Sequence, residues 1–333
     1  MEYINIDLRI NKPIYKQIVQ SICDHIDNGI LKQGDAIPSV NEVASTFGLA
    51  RGSVFTAYNE LKASGIIKSI PGKGYFVSSV KTKLQHNVFL LFTTFSPYKE
   101  ILYNSLINNL KGNCNVDIYF HHYNIKTFEQ LITEYASQYN TFIIMPMVHE
   151  RTPDILSELN PKSLYLIDLG YKEYGNRFAG VYQNFENDIY QILKSNLHLI
   201  QKYKRLFLVR HDDFRSKEIL TGFNRFAKES HIETGVVTIE QHHDIQLHDA
   251  YITVEDTDMV SIIQAAKQKK WKIGKDIGIL AYNETALKSV ISDGISTIST
   301  DFILMGKQMS EMILNREQKT IENKFVLINR KSF

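Results

Sequence analysis

The chain has 333 residues, 44% of them hydrophobic and 11% aromatic, which suits two or three domains with sizeable cores and excludes a disordered chain. Its 38 basic residues nearly balance 36 acidic ones, so the net charge of +2 gives no overall sign of nucleic-acid binding, and any basic surface must be local. The two cysteines, Cys23 and Cys114, fit neither a disulfide framework nor a metal site. Because we find no signal peptide and no apolar run of about 18 residues, the sequence predicts a cytoplasmic protein without a membrane span.

Three short helical patterns open the chain. Isoleucines recur every four residues over 13–30 and predict an amphipathic helix. Ser39 and Glu42 have the S-x-x-E spacing of a capping box, which predicts the start of a second helix. A third helix is predicted over about 50–64, with Gly65 as its terminator.

A hairpin and a polar segment follow the third helix. Two short apolar runs, 66–70 and 75–77, flank a glycine-rich turn and predict a β-hairpin. The polar stretch 79–87 breaks all periodicity and is predicted to be a linker. It separates a first domain over 1–78 from a second over 88–333.

The second domain alternates buried strand-like runs with helical patterns. The runs cover 88–92, 142–147, 164–167, 206–209 and 277–281. This βαβ rhythm predicts an α/β fold of parallel sheets with helices on both faces. About 245 residues is long for a single sheet of this kind, so we expect two lobes.

The segment IPSVNEVASTFGLARGSVFTAYNELKASGIIKSIPGKGYFV resembles the DNA-binding domain of GntR-type regulators. The residues in register with that family are Pro38, Ser39, Arg51, Leu61, Gly65, Gly72 and Gly74. The resemblance covers about 13–78 and implies a winged helix-turn-helix, in which the third helix enters the major groove and the hairpin lies beside it. Composition and periodicity alone leave open a small helical domain that binds protein or that simply caps the larger domain.

The resemblance places a defined set of residues at the DNA. Arg51, in the first turn of the third helix, can bond guanine bidentately. The full set is Ser39, Asn41, Ala50, Arg51, Gly52, Ser53, Phe55, Thr56, Pro71, Gly72, Lys73 and Gly74. Asn41 and Phe55 stand where the family has arginine, and Ala50 where it has serine or threonine. We therefore expect the DNA affinity to depend less steeply on salt than that of a relative with more basic residues, and an operator less dominated by guanine.

The second domain carries a resemblance of its own. IGILAYNETALKSVISDGISTISTDFILMGKQMSEMIL follows a pattern of strand, acidic turn, threonine-rich segment and Met-Gly helix, and the chain closes with Arg330 and Ser332. In this it resembles the effector domain of LacI/GalR-type regulators. That resemblance implies a two-lobed, periplasmic-binding-protein-like type I fold with a sugar bound between the lobes, at the carboxyl ends of strands.

Polar and aromatic residues at the predicted strand ends are the effector-binding candidates, because sugars need planar polar groups and an aromatic face. They are Phe95, Ser96, Tyr98, Lys99, Met147, His149, Asp168, Arg210, Asp212, Arg215, Glu255, Asp256, Tyr282, Asn283 and Glu284. Each is alternatively a helix cap or a solvent-facing side chain. Ile219 replaces an arginine of many relatives, so either Lys217 or Arg215 substitutes for it or the ligand lacks the matching group.

Other kinds of chemistry find no support in the sequence. The pairs His121-His122 and His242-His243 are poor chelators, because adjacent residues of a strand point to opposite faces, so we predict no metal and no cofactor. No P-loop or nucleophile elbow is present, and we predict that the chain is not an enzyme.

Together the two resemblances imply a repressor of carbohydrate utilisation. It is expected to bind a palindromic operator as a homodimer and to respond to a small monosaccharide, such as a pentose or a deoxyhexose. The alternative is a small-metabolite-binding protein or an enzyme whose accessory domain does not bind DNA.

Overall fold

A computed structural model describes residues 3–7, 13–80, 86–110, 114–136, 138–209, 214–238 and 245–333. The chain divides into two compact units, the first comprising 1–94 with 110–167 and the second 95–109 with 168–333. None of the helices in the described ranges combines the length and apolarity of a membrane span.

The first unit begins with a winged helix. Its elements are α1 (Ile14–Asp27), β1 (Ala36–Ile37), α2 (Val40–Phe47), α3 (Arg51–Ala63), β2 (Ile67–Ile70) and β3 (Gly74–Val77). The strands form an antiparallel sheet in the order β1-β3-β2. The three predicted helices and the hairpin are confirmed. Strand β1 was not predicted, because two residues are too few to show a pattern.

The capping box predicted for α2 is formed. The Glu42 amide donates to Ser39 Oγ at 3.2 Å, and the Ser39 amide donates to Glu42 Oε2 at 2.6 Å. The bond from the Ser39 amide to the Glu42 carboxylate, together with a side-chain hydrogen bond from Ser39, lowers the pKa of Glu42. Gly48 ends the helix with a left-handed φ of 63°, which glycine adopts without strain.

The rest of the first unit is a parallel sheet. In chain order its next elements are β4 (His86–Phe92), β5 (Cys114–Phe120), α5 (Ile125–Tyr135), β6 (Thr141–Ile144), α6 (Thr152–Ser157) and β7 (Leu164–Asp168). Between β4 and β5 the chain forms α4 (Pro97–Leu110), which belongs to the second unit. The strands lie in the order β5-β4-β6-β7, all parallel. Strand β4 begins at His86, so the last two residues of the predicted linker, 79–87, belong to the sheet instead. Their side chains make the hydrogen bonds that hold this strand end.

The second unit contains α4 and the remainder of the chain. Its elements after β7 are α7 (Tyr171–Tyr174), β8 (Gly180–Tyr182), α8 (Phe185–Ser195), α9 (Leu197–Ile200), β9 (Arg205–Val209), α10 (Phe214–Ser230), β10 (Glu233–Val237), β11 (Asp249–Thr253), α11 (Asp256–Gln268), β12 (Gly278–Tyr282), β13 (Ser296–Thr300), α12 (Phe302–Asn315), β14 (Thr320–Glu322) and β15 (Phe325–Ile328). Six strands form a sheet in the order β10-β9-β11-β12-β13-β15, in which only β15 is antiparallel. Strands β8 and β14 pair in parallel. The predicted α/β fold is confirmed.

The end of the chain fastens this second sheet. Ser332 Oγ accepts a hydrogen bond from the Ser296 amide at 2.7 Å and donates to the Ile279 carbonyl at 2.6 Å. Helices α8 and α10 pack so closely that a Cβ at Gly222 would lie 2.1 Å from the carbonyl oxygen of Glu186. Gly222 is thus required by the packing.

We predict that Gly222→Ala lowers the free energy of unfolding by about 1–3 kcal/mol, because the added methyl group has no room against backbone of α8. Chemical denaturation of the purified chain measures the change. Gly52→Ala is the matched control: it is also helical, and a Cβ there meets nothing within 4 Å. An equal loss of stability in the two variants contradicts the packing argument.

Candidate functional site

One face of α3 is exposed along its first two turns. Val54, Ala57 and Tyr58 are buried in the winged-helix core. Arg51, Gly52 and Thr56 face solvent on the other side, and Ser53 is half-buried. Phe55 lies among them with 53% of its surface exposed, which is unusual for so large an apolar side chain.

The amino end of α3 has no side-chain cap. Ala50 occupies the N-cap position and offers no hydrogen-bond acceptor to the first amides. Free amides at a helix start, together with the helix dipole, favour an anion such as phosphate. The Thr56 hydroxyl is already committed, since it donates to the Gly52 carbonyl at 2.8 Å.

The wing turn lies in the same domain and is exposed from Pro71 to Gly74. Gly72 and Gly74 have φ of 72° and 102°, which explains the glycines of this turn. A fully buried tyrosine holds the wing against α3. Tyr58 Oη donates to the Pro38 carbonyl at 2.6 Å, and its ring meets that of Tyr75 edge-on at 4.8 Å.

Two predicted DNA contacts lie at the start of α2. The Ser39 hydroxyl accepts from the Glu42 amide in the capping box and also hydrogen-bonds to the Glu42 carboxylate, so both of its roles are used within the domain. Asn41 is exposed. The structure therefore brings the predicted set to the surface of one domain; contact with DNA remains a prediction.

The second unit holds a nearly enclosed cavity. Its polar lining consists of Tyr98, Asp168, Gln183, Tyr282 and Asn283. Its apolar lining consists of Leu169, Phe185, Ile219 and Val254. The space between its walls is about 280 Å³ when its part open to solvent is counted. The room for the centre of a water molecule is only about 10 Å³, which suffices for roughly one water. Tyr98, whose ring stacks on Phe302 at 5.0 Å, forms part of the wall.

Asp168 fixes the orientation of Gln183 in this cavity. Asp168 is 2% exposed and ends β7, and its Oδ1 accepts a hydrogen bond from Gln183 Nε2. Because a carboxylate only accepts hydrogen bonds, the amide nitrogen of Gln183 must face it. Gln183 Oε1 is therefore directed elsewhere, and it is buried without a hydrogen-bond donor among the described residues.

Asn283 lies at the end of β12 in a left-handed conformation with φ 61°, as does Asp168 at φ 74°. Lys288 holds that turn: its ammonium donates to the Tyr282 and Asn283 carbonyls, each at 2.8 Å. The side chain of Lys288 is 3% exposed and also pairs with Asp256 at 2.7 Å. Asn283 Oδ1 is buried and accepts no bond from the described part of the chain. The lining thus holds two buried acceptors, Gln183 Oε1 and Asn283 Oδ1, beside the Tyr282 hydroxyl, which can also donate.

Gln183 and Lys288 were not among the sequence candidates. Gln183 follows a three-residue strand, β8, that has no recognisable pattern. A lysine is almost never fully buried unless it is paired, so nothing in the sequence marked Lys288. The next residue, Asn184, caps α8 by accepting a hydrogen bond from the Asn187 amide at 3.4 Å, and an asparagine before a helical pattern is the one signal that could have drawn attention to Gln183.

Several candidates are used elsewhere in the fold. Glu284 forms a bidentate ion pair with Arg330, at 2.7 and 3.0 Å, and so does not line the cavity. Its pKa is lowered: burial raises it, but hydrogen bonds from Arg330 and Thr297 outweigh that effect. Asp256 pairs with Lys288 as described, and Glu255 is the N-cap residue of α11.

The remaining candidates are scattered. Phe95 is 71% exposed, Ser96 Oγ is buried without a partner among the described atoms, and Lys99 is buried beside Tyr98. In the first unit, Met147 is half-buried and His149 Nδ1 accepts from the Arg151 amide at 3.1 Å. Arg210, Asp212 and the side chain of Arg215 lie outside the described residues.

From the sequence we expect the pair His121-His122 within a strand, but the pair lies just after one. Strand β5 ends at Phe120; His121 is fully buried, and its Nε2 lies 3.2 Å from the Met145 carbonyl. Adjacent His122 turns out to solvent with φ 49°. Across the described ranges, no three His, Cys, Asp or Glu side chains converge as a metal site would require.

Buried carboxyl groups lie on the helices next to the cavity. Burial, aided by the charge of Glu322, raises the pKa of Asp188 to about 8 against a hydrogen bond from the Asn184 amide. Burial likewise raises the pKa of Glu218 to about 7; Glu173 adds to the rise and Lys172 opposes it. Both side chains belong to the packed pair α8 and α10.

Two family models match the chain. Residues 14–77 match the gntR family of bacterial regulatory proteins, and residues 199–333 match a periplasmic binding protein-like domain. The transcriptional repressor YtrA of Bacillus subtilis is 42% identical over 82 residues, which are 24% of this chain and 63% of YtrA. The chain thus spans less than two-thirds of that relative.

Solved structures resemble the larger part of the chain. A LacI family transcriptional regulator from Silicibacter pomeroyi has a TM-score of 0.62 at 18% identity, covering 74% of this chain and 98% of that one. A periplasmic binding protein/LacI regulator from Alkaliphilus metalliredigens, complexed with D-xylulofuranose, has a TM-score of 0.60 at 10% identity and covers 74% and 99%. Such low identities establish the fold, and the predicted periplasmic-binding-protein-like fold is confirmed. YtrA and both of these proteins are regulators of transcription rather than enzymes.

We predict that the contribution of Asp188 to the free energy of unfolding falls as the pH rises from about 4 to about 8. The folded state holds a proton on Asp188 that the unfolded chain releases near its ordinary pKa of 3.8, so the contribution to stability is full at low pH and is lost toward the folded pKa of about 8. Asp188→Asn keeps an acceptor for the Asn184 amide and removes the charge.

The free energy of unfolding of Asp188→Asn should therefore exceed that of the wild type by an amount that grows between about pH 5 and pH 8 and vanishes near 3.8, the ordinary pKa of an aspartate. Urea denaturation across this pH range measures the difference. The exposed Asp154→Asn is the control and should follow the wild-type curve. An advantage for Asp188→Asn that does not change with pH contradicts the assignment.

Proposed function

We propose that this chain, in which a gntR-family domain precedes a periplasmic binding protein-like domain, is a cytoplasmic repressor of transcription controlled by a small sugar. The observation that carries the proposal is the exposed, uncapped first turn of α3, which bears Arg51. In a helix-turn-helix that turn is the part that reaches base edges and phosphates.

The exposed side chains suggest how the operator is read. Arg51 suits a guanine, with two donors for O6 and N7. Phe55 has no polar group and suits the methyl of a thymine, the main apolar feature of the major groove. Lys73, at the tip of the wing, suits phosphate or the minor groove. Few cations and one exposed aromatic favour an operator of mixed composition with modest salt dependence.

The cavity supports a sugar as the effector. Gln183 Oε1 and Asn283 Oδ1 accept nothing from the described residues, so a ligand has to bring donors, and sugar hydroxyl groups are such donors. Tyr98 and Phe185 supply aromatic surface for the C–H face of a ring. The Alkaliphilus regulator, complexed with D-xylulofuranose, is consistent with a small monosaccharide and with control of carbohydrate utilisation.

A monosaccharide is larger than the single water molecule for which the cavity has room, so binding requires the cavity to widen. The ligand then favours one arrangement of the domain over another, which is the basis of control over a distant DNA-binding surface. The coupling free energy of such systems is typically about 1–3 kcal/mol. Binding of the sugar between the two lobes, as the resemblance implies, is part of this proposal.

We propose that the repressor works as a homodimer on a palindromic operator. Two apolar side chains, Leu287 and Val290, are 69% and 71% exposed on adjacent turns after β12. Exposed apolar side chains this large favour burial against another protein surface. They flank Lys288, which holds the Asn283 turn, so such a contact lies next to the cavity.

Arg51→Ala should weaken binding to a labelled duplex from the region upstream of the chain's own gene by about 1–3 kcal/mol. Fluorescence anisotropy measures the dissociation constant. Lys126→Ala, which removes one exposed charge from α5, should leave it within a factor of about two. Lys73→Ala should lower the slope of log K against log salt by about 1. Unchanged binding by Arg51→Ala removes the DNA-binding half of the proposal.

Asn283→Gly should weaken sugar binding by about twofold to tenfold, the cost of one hydrogen bond, without straining a turn whose φ is 61°. A thermal-shift screen with D-xylose, L-arabinose, L-fucose and L-rhamnose identifies the ligand, since a sugar at about 100 times its dissociation constant stabilises by about 2.7 kcal/mol.

Ser292→Gly relieves a similar φ of 49° outside the cavity and is the control. It should leave the dissociation constant unchanged. If none of these sugars raises the melting temperature of the wild type, the sensing half of the proposal is wrong.

A further inference from the structure

The last turn of α3 is hydrogen-bonded to the parallel sheet of the first unit. Helix α3 ends at Ala63. The last carbonyl groups of a helix find no amide donor within the helix and need partners from outside it. Asn87, in strand β4, donates from Nδ2 to the Ala63 carbonyl oxygen. Asn140, just before β6, donates from Nδ2 to Ser64 Oγ at 3.4 Å. The helix thus meets two neighbouring strands through amide side chains.

The amide of Asn87 has only one orientation that fits its neighbours. Asn115 Nδ2, on β5, donates to Asn87 Oδ1 at 3.1 Å. With its oxygen engaged in this way, Asn87 presents its nitrogen to the helix carbonyl. The backbone is fixed as well, because the Asn87 amide donates to Asn140 Oδ1 at 3.0 Å and the Asn140 amide donates to the Asn87 carbonyl at 3.2 Å. These hydrogen bonds form one network at the amino ends of β4, β5 and β6.

Gly65 makes the close approach possible. It leaves α3 with φ 66°, and a Cβ at this position would lie 3.3 Å from Asn87 Nδ2. The Gly65 and Ile66 amides donate to the Lys62 and Leu61 carbonyls at 2.8 and 2.9 Å, which closes the last turn of the helix. The glycine therefore both ends the helix and admits the asparagine.

We propose that Asn87 and Asn140 are positioning residues that couple the DNA-reading helix to the effector domain, an inference that rests on the proposed function. Helix α3 has 13 residues, so a rigid rod of about 20 Å joins this contact to Arg51 in the first turn. Strand β4 starts at the contact and ends at Phe92, shortly before α4 and its cavity residue Tyr98. A shift of β4 along its length is thereby passed to the helix that reads DNA.

Coupling is tested in the full chain with the upstream duplex and the same four sugars. In the wild type, we expect the active sugar to change operator affinity about 5-fold to 150-fold. Asn87→Ala should keep the sugar's dissociation constant and hold operator affinity without sugar within about threefold, but should reduce the sugar-dependent factor to about a third or less. Asn87→Asp keeps an acceptor for Asn115 but loses the donor to the Ala63 carbonyl, so it should reduce the sugar-dependent factor as Asn87→Ala does.

Asn160→Ala is the matched control. It removes an asparagine of the first unit that accepts from the Lys162 amide at 3.0 Å and takes no part in the network. If the contact only stabilises the fold, Asn87→Ala will lower the free energy of unfolding and leave the sugar-dependent factor unchanged. That result overturns the proposal. If no sugar alters operator affinity of the wild type, the sensing function fails and the coupling fails with it.

Hydrogen exchange separates failure of the contact from failure of the function. In a peptide covering 60–66, Asn87→Ala and Asn140→Ala should speed amide exchange severalfold, because the last turn of α3 loses its support, whereas Asn160→Ala should not. Unchanged exchange in both network variants shows that the contact does not hold the helix, and it overturns the proposal whether or not any sugar acts.

Discussion

Parallel strands impose the constraint on which the other features of this chain depend. In a parallel sheet every strand begins at one edge and ends at the other. In the first unit, the starting edge carries Asn87 and Asn140, which bond to Ala63 and Ser64 of the winged helix, and Asn115, which bonds to Asn87. In the second unit, residues at strand ends, among them Asp168 and Asn283, line the cavity. Each edge therefore gathers side chains that are far apart in the chain.

The cavity owes its chemical character to a single buried carboxylate. Asp168 accepts from Gln183 and so turns the Gln183 oxygen away as an acceptor. The nearby Lys288 adds no donor to the cavity, because its ammonium group is already bonded to the Tyr282 and Asn283 carbonyls and to Asp256. Two buried acceptor oxygens beside a tyrosine hydroxyl suit a ligand whose groups both donate and accept, as hydroxyl groups do. This is the physical basis for proposing a sugar.

Helix α3 serves different partners at its two ends. Its amino end has alanine as N-cap residue and leaves amides free for an anion, while its carboxyl end is closed by Gly65 and by the asparagine network. Tyr58, between them, fastens the helix to the wing and to the start of α2. A helix held at one end and along one side, with the other end exposed, is suited to present its first turn to DNA.

The sequence alone determined the local structure, because helix periodicity, the Ser39–Glu42 capping box and glycine stops are short-range features with their physical cause in adjacent residues. It also marked Asp168 and Asn283, which follow apolar strands. Tertiary structure decided which polar side chains meet. Glu284 pairs with Arg330, 46 residues away, and the Asn87 side chain reaches the Ala63 carbonyl 24 residues before it. Hydrogen bonds and ion pairs depend on distance and direction in space, and no pattern along the chain encodes these for residues on different strands and helices.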